Sequence, residues 1–349
     1  MAKITINEIA ERAGVSKTTV SFAFNDPSRV SEATLQRILR VADELGYTPD
    51  PIARSMTTKR TGCIGLLVPQ SIPYMVQNPF FSELLAGIGG VCREAGLSLM
   101  LVPPLKGSVH RAVNNAVVDG FLTLGLETFR DTMKVLEQRG VPYVMVDSDP
   151  TPGISCVNIN DQGGAREAMA HVLRANHRRV AILAIRSGER RQYRRYVGTL
   201  HRRMEGYLEA LSEVGLSIRS RGVYLVECDN LDSAGRECFK RLWRLKPRPT
   251  ALVAMSDIIA IGAMEAAMEL GIRVPDDLSI VGYDDIPAAR WTQPRLTTVH
   301  QPTREKGSLA AELLVALLNE STDVQHRILP TRLVERESVK VRPADTGAD

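Results

Sequence analysis

The sequence predicts a small all-α unit followed by a larger α/β body made of two doubly wound parallel-sheet lobes, and three observations carry that reading. The first 48 residues hold short apolar stripes at helical spacing, punctuated by good capping residues. From Thr61 onward, apolar runs of strand length alternate with helical patterns. That alternation occurs twice in succession, which implies two similar lobes with a cleft between them.

The bulk numbers fit this division. At 349 residues the chain is too long for one ordinary core. Its 44% hydrophobic and 24% charged content is that of a globular chain. A net charge of +4 is compatible with nucleic acid but too mild to argue for it. The first 60 residues carry nine Lys/Arg against seven Asp/Glu.

The five cysteines, Cys63, Cys92, Cys156, Cys228 and Cys238, are odd in number and never spaced CxxC. That pattern suits a reduced, intracellular protein without a zinc or disulfide framework. MAKITINEIA lacks the charged-then-apolar character of a secretory leader, and no run of 18 apolar residues occurs. A cytoplasmic location, with no membrane partner, is therefore expected. No GxSxG, HExxH, P-loop or GxGxxG is present, and His171 and His177 are poorly spaced for a metal. Neither an enzyme nor a cofactor or metal site is expected.

In the first unit, Thr5 followed by Glu8 reads as a capping box, and Ile6, Ile9, Ala10 and Ala13 form one apolar face. Gly14-Val15 ends that helix, and Ser16 caps a second one containing Val20 and Phe24. Asn25-Asp26-Pro27-Ser28 is a turn cluster, after which Ser31 caps a third helix through Val41 and Leu45. The first two helices have helix-turn-helix spacing. In such a motif the N-terminal residues of the second helix face base edges. Here these are Ser16, Lys17, Thr18 and Thr19, one cation and three small hydroxyls. Lys17 suits guanine O6/N7, and the threonines suit bases, phosphates or a thymine methyl. The alternative is a surface helix whose hydroxyls satisfy its own backbone.

Asp50 and Pro51 favour a helix start, yet barely two turns follow before Arg60. Such a segment folds only against DNA or a partner copy, with Met56 as an apolar wedge between base steps. The alternative is a polar tether.

In the body, residues 63–69, 97–103, 120–125 and 143–147 are strand candidates of the first series. Residues 180–185, 223–227, 250–257 and 278–285 form the second. The groups closing these strands are polar: Asp147, Asp161, Ser256, Asp257, Tyr283, Asp284 and Asp285. Carboxylates there suit the hydroxyls of a sugar or nucleoside, although Asp after a strand also commonly caps the next helix. Residues 186–203 carry seven arginines against one Glu, with Tyr193 and Tyr196 interleaved. An anionic ligand such as a phosphorylated sugar suits several of them, and a solvated loop is the alternative.

INEIAERAGVSKTTVS, VSEATLQRILRVADELGYTPD, NPFFSELLAGI, the Gly206-Tyr207 pair, SIVGYDD and PRLTTVHQP together resemble the LacI/GalR family of bacterial transcriptional regulators, over nearly the whole chain and more thinly after about residue 330. The resemblance implies a helix-turn-helix domain at 1–48 and a hinge helix and linker at 49–60. It implies a periplasmic-binding-protein-like sensor with one lobe of 61–161 plus 292–325 and another of 162–291 plus 326–349. It also implies a homodimer on a pseudo-palindromic, double-stranded operator, gated by a sugar or phosphorylated sugar in the cleft. The DNA-contact positions would be Thr5, Ser16, Lys17, Thr18, Thr19, Phe22 and Asn25, with Ala53, Arg54 and Met56 in the hinge. The effector positions would be Phe80, Asp147, Arg203, Ser256 and Asp284, with Asp161 near the cleft rim.

Four residues depart from the family pattern: Met56 replaces Leu, Phe22 replaces a common Arg, and Asp50 and Ser256 each replace Asn. The loop Gln70–Gln77 is longer than usual and predicts a reshaped pocket mouth. Two other readings are an effector-independent regulator with a vestigial pocket and a soluble ligand-binding protein; salt-dependent duplex binding separates the latter.

Overall fold

A computed structural model describes residues 4–49, 55, 58–125, 130–187 and 193–343. The hinge positions Ala53, Arg54 and Met56 lie outside these, as do Arg190 and Arg191 of the arginine-rich segment.

The chain divides into two compact units, the first holding the N-terminal helices and the second holding most of the α/β body. Three helices build the first: α1 (Ile6–Ala13), α2 (Lys17–Asn25) and α3 (Glu32–Leu45). Glu8 folds back to accept from the Thr5 N–H, fixing the start of α1. Gly14, at φ 64°, takes the left-handed conformation that turns the chain into α2. The core is Ile9, Ala10, Ala13, Val20, Ala23, Ile38 and Ala42. Four alanines among seven buried residues let the helices approach closely, so a small unit packs tightly with few large side chains.

The body runs β1 (Cys63–Leu67), α4 (Ile72–Met75), α5 (Pro79–Glu94), β2 (Ser98–Val102), α6 (Val109–Asn115), β3 (Gly120–Leu124), α7 (Arg130–Arg139), β4 (Tyr143–Val146) and β5 (Cys156–Ile159). It continues α8 (Asp161–Arg174), β6 (Val180–Ile185), α9 (Gly198–Glu213), β7 (Tyr224–Cys228), α10 (Asp232–Leu242), β8 (Ala251–Ala254), α11 (Asp257–Glu269) and β9 (Ser279–Val281). It closes with β10 (Thr298–His300), α12 (Thr303–Leu318), β11 (His326–Leu329) and β12 (Arg332–Val334). The strands form a six-stranded sheet ordered β11-β5-β4-β3-β1-β2 and a four-stranded sheet ordered β7-β6-β8-β9. Pairing in the second sheet is parallel throughout.

Strand β6 shows why this is a doubly wound sheet. Val180, Ile182 and Ala184 enter one core with Met204, Tyr207 and Leu211 of α9. Ala181 and Leu183 enter the opposite core with Phe239 of α10 and Ile259 of α11. Both faces of the strand are dry, so its sequence is apolar without alternation.

Hydrogen bonding redraws the expected lobe boundaries. β11 pairs in parallel with β5, so residues 326–329 belong to the first sheet, not the second as expected. β10 pairs with β12, and bridges Val281–Thr297 and Asp284–His300 tie residues 297–300 to the second sheet, not the first. The chain therefore crosses between lobes after Ile159, between His300 and Thr303, and between Leu329 and Arg332. An exposed run such as HRIL carries no sign of its sheet; it is drafted to cover the open edge of β5.

Helices α8 and α9 cross where Gly206 faces α8. A Cβ on Gly206 would stand 2.2 Å from the Gln162 carbonyl oxygen, so only glycine permits this approach. Replacing Gly206 with Ala is expected to destabilise the body by about 1–3 kcal/mol, read as a lower denaturation midpoint at unchanged slope.

His177 is structural. Its Nδ1 meets the Thr250 hydroxyl at 2.9 Å and its Nε2 the Lys340 carbonyl at 3.1 Å, and burial pushes its pKa down to about 4. The folded ring stays neutral where the unfolded one takes a proton, near pH 6.5. Its contribution is complete above pH 6.5 and is lost as pH falls to about 4, amounting to about 3 kcal/mol. In His177→Gln, the stability gap from the natural protein is expected to shrink between pH 7 and pH 4 in thermal melts.

Candidate functional site

In the N-terminal unit, Ser16 Oγ accepts from the Thr19 N–H at 3.1 Å and meets the Thr19 hydroxyl at 2.8 Å. The helix-capping alternative thus applies to these two residues. Lys17 and Thr18 are exposed and carry no such duty. Together with Ser21, Phe22 and Asn25 they follow the i, i+1, i+4, i+5, i+8 spacing that puts them on one face of α2. Asn25 Nδ2 donates to Ser21 Oγ at 3.2 Å. The Arg29 guanidinium lies 5.0 Å from the Phe22 ring centre while pairing with Asp26 at 3.0 Å. Ser21 and Arg29 were not foreseen from the sequence. The substitution of Phe22 for an arginine was noted, but nothing local indicated that an arginine from the following turn would cover that ring. Thr5 is exposed and its hydroxyl is 3.1 Å from Glu8.

In the body, a cavity of about 540 Å³ opens at the C-terminal ends of the parallel strands. Phe80, Asp147, Arg203, Ser256 and Asp284 all line it. Each arrives by a different route. Asn78 caps α5 and sets Phe80 on its first turn. Asp147 ends β4, Ser256 precedes α11, Asp284 follows β9, and Arg203 projects from α9. Asp147 (φ 55°) and Asp284 (φ 124°) hold positive φ, a conformation that costs about 1–3 kcal/mol for a non-glycine residue.

Asp161 is a correction. It was expected near the rim, yet its side chain is fully out of solvent and lies behind Arg203. Its carboxylate accepts from Arg203 Nε at 2.9 Å and lies 3.4 Å from Arg202 Nε, so it supports the wall and does not line the cavity. A helix-first-turn carboxylate reads the same whether it faces a cavity or a neighbouring arginine.

Arg203 is the centre of the site. Its Nη1 donates to the Met255 carbonyl at 2.6 Å and stands 3.6 Å from Asp284, and its face lies 3.8 Å from the Tyr283 ring centre. Burial alone would lower its pKa, but Asp161, Tyr283 and Asp284 outweigh that and raise it. Burial pushes Asp284 up to about 6, against the opposing pull of Arg203 and Gln301.

The sequence reading missed Lys306 and Gln301. Lys306 is wholly buried on α12, with Nζ 2.7 and 2.9 Å from the Asp147 oxygens and 2.9 Å from Gln301 Oε1. Gln301 Nε2 in turn donates to Asp284 Oδ1. A lysine four residues beyond a proline reads as surface, and only the fold brings it to Asp147. The longer loop folds into α4, and Tyr74 from it accepts from the Asn230 backbone N–H at 2.8 Å. Ser256 Oγ donates to the Asn230 side chain. Tyr74 and Asn230 come from opposite lobes and both line the cavity. The loop therefore does reach the pocket mouth.

Asp257 and Asp285 stay structural. Asp257 accepts from the Ile286 N–H at 2.9 Å and from Thr298, and burial followed by the Asp284 charge pushes it up to about 8. Asp285 pairs with Arg336 and with His300 at 3.0 Å. Of the arginine-rich segment, Arg186 and Arg203 line the cavity, whereas Arg202 pairs with Asp149 at 2.6 Å.

Lys306→Met strands the Asp147 carboxylate and is expected to cost about 3–5 kcal/mol in denaturant melts. The double variant Lys306→Met/Asp147→Asn should recover most of that loss; additive losses would mean the two groups do not interact.

The sequence matches two family models, "Bacterial regulatory proteins, lacI family" over residues 5–50 and "Periplasmic binding protein-like domain" over residues 169–339. The HTH-type transcriptional repressor PurR of Photobacterium profundum is 31% identical over 345 residues, covering 96% of this chain and 98% of that protein. Among solved structures, the transcriptional regulator CelR in complex with cellobiose is 30% identical, with a TM-score of 0.71, covering 96% of this chain and all of that one. The lac repressor dimer bound to operator and the anti-inducer ONPF is 25% identical, with a TM-score of 0.81 and 97% and 99% coverage.

Proposed function

The chain belongs to the LacI family of bacterial regulatory proteins, and from that premise we propose that it is a homodimeric repressor whose affinity for a pseudo-palindromic operator is set by a sugar-like effector in the cleft around Arg203. The observation that carries the DNA half is the exposed face of α2. Lys17 and Thr18 have no packing or capping duty there, while Ser16 and Thr19 hold the helix start. Lys17 offers a cation to guanine O6/N7 and Thr18 a hydroxyl and a methyl to neighbouring bases. Phe22 and Arg29 add an apolar face and a cation beside it. Met56, with Ala53 and Arg54, supplies the minor-groove wedge in this reading.

The observation that supports the effector half is that both lobes furnish the cavity. Phe80, Asp147 and Tyr74 come from the first lobe, and Arg203, Ser256, Asn230 and Asp284 from the second. A ligand touching both stabilises one lobe arrangement over others, and the difference appears as a change in operator affinity, typically 1–3 kcal/mol.

Selection of binding sites from random duplexes, followed by titration at several salt concentrations, tests the DNA half. A palindromic consensus with affinity falling steeply in salt is expected. Lys17→Ala should relax base preference at one symmetric position of that consensus; a uniform loss across sequences would make Lys17 a phosphate contact. Arg203→Gln should keep operator binding and lose the response to any effector that shifts it. A retained response would remove Arg203 from the site.

A further inference from the structure

Among the described residues, two cations buried at the cavity wall, Arg203 on its lining and Lys306 behind Asp147, are already matched. Arg203 sits between Asp161 at 2.9 Å and Asp284 at 3.6 Å, and Lys306 is held by both oxygens of Asp147. Arg186, the other cation among the described lining residues, pairs with Asp229 at 3.2 Å. Asp161 and Lys306 are fully buried, so bulk water screens the Arg203 and Lys306 pairs little, unlike the part-exposed Arg186–Asp229 pair. An incoming phosphate would have to take a cation from its carboxylate and leave that carboxylate uncompensated in a dry site.

What the wall leaves open is of another kind. Arg186 Nε and Gln70 Oε1 are buried and find no partner among the described residues, and both residues line the cavity. They offer one donor and one acceptor. Both Asp284 contacts fall on Oδ1, and a carboxylate carries about four lone-pair sites in all, so it can still accept from a hydroxyl. The rest of the lining is largely apolar, with Tyr74, Phe80, Leu124, Ile185 and Leu200.

We propose that the cleft is built for an uncharged ligand with one apolar face and a hydroxyl- or amide-bearing edge, and that the pairing of Arg203 and Lys306 with carboxylates excludes phosphorylated ligands. This rests on the reading of the cleft as the effector site and narrows its ligand class. It also reverses the anionic expectation raised by the arginine-rich segment. Among the described residues, Arg203 on the lining is held by Asp161 and Asp284, while Arg186 pairs with the half-exposed Asp229 and keeps its Nε open.

The test is calorimetry at pH 7.5 and constant ionic strength, with inorganic phosphate as the probe. The natural protein is expected to show no saturable phosphate binding. Asp284→Asn, which releases one side of Arg203, should gain it, with affinity at least tenfold above the natural protein's. Asp147→Asn, which releases Lys306, should gain it as well and covers the case in which Asp284→Asn does not fold. Saturable phosphate binding by the natural protein, abolished in Arg203→Met, would overturn the proposal. So would a failure of both folded variants to gain phosphate, since carboxylate pairing would then not be the cause of exclusion. Matched pairs, glucose with glucose 6-phosphate and adenosine with adenosine monophosphate, give a second reading: the phosphorylated member must not bind more tightly. Operator titrations in parallel keep the two ideas apart. If phosphate behaves as expected but no small molecule moves operator affinity, the effector reading fails and the charge matching stands.

Discussion

A guanidinium and an ammonium taken almost wholly out of water must be matched within the fold, and that requirement organises the body of this protein. Arg203 and Lys306 come from helices packed on different sheets, and each is matched by carboxylates from elsewhere in the chain. Gln301 joins the two, accepting from Lys306 and donating to Asp284. The resulting chain runs Asp161, Arg203, Asp284, Gln301, Lys306, Asp147. It begins at a crossing between lobes, passes through the second, uses Gln301 at another crossing, and ends in the first. A buried ionic network is a poor source of net stability, because desolvation consumes most of the Coulombic gain. Its value is in specifying geometry: Arg203 is held within the second lobe, Lys306 within the first, and Gln301 joins the two groups.

That geometry explains the unusual backbone at the cleft. Asp147 and Asp284 hold positive φ, a conformation tolerated only where the surroundings over-determine it. Both are anchored at the carboxylate, Asp147 by Lys306 and Asp284 by Gln301. The strain and the network are therefore two aspects of one construction, in which strand ends are bent so that carboxylates reach cations from other elements. Tyr74 adds a separate cross-lobe link to the Asn230 backbone. A neutral hydrogen bond is worth about 1 kcal/mol, far less than breaking a buried ion pair costs.

Much of this was legible in the residues, and the reason differs by region. Local rules sufficed for the N-terminal unit, because caps and apolar stripes act over three or four residues; Ser16, Gly14 and the Ile9/Ala13 face all stand where their spacing required. Strand placement in the body was equally legible, since parallel strands dry on both faces read as continuous apolar runs. Partnership across long separations was not. Lys306 lies 159 positions from Asp147, and no local pattern distinguishes a buried lysine from a solvated one. The same holds for Asp161, whose role depends on an arginine 42 positions away. The sheet to which His326–Leu329 belongs is likewise decided by an open edge, not by its own residues.

The two candidate surfaces differ in how freely their residues can change. On α2 the core needs Val20 and Ala23, the cap needs Ser16 and Thr19, and Phe22 carries Arg29, which leaves Lys17 and Thr18 without a structural duty. Substitutions at Lys17 and Thr18 therefore leave the helix standing. In the cleft the polar residues hold one another. Changing Asp284 disturbs Gln301 and Arg203, and changing Lys306 disturbs Asp147 and Gln301. The residues outside the network, Tyr74, Phe80, Gln70, Arg186 and Ser256, line the cavity without closing the charge chain. Ser256 fits that division. It stands where the family pattern has an asparagine, and its hydroxyl engages Asn230 and no member of the chain from Asp161 to Asp147.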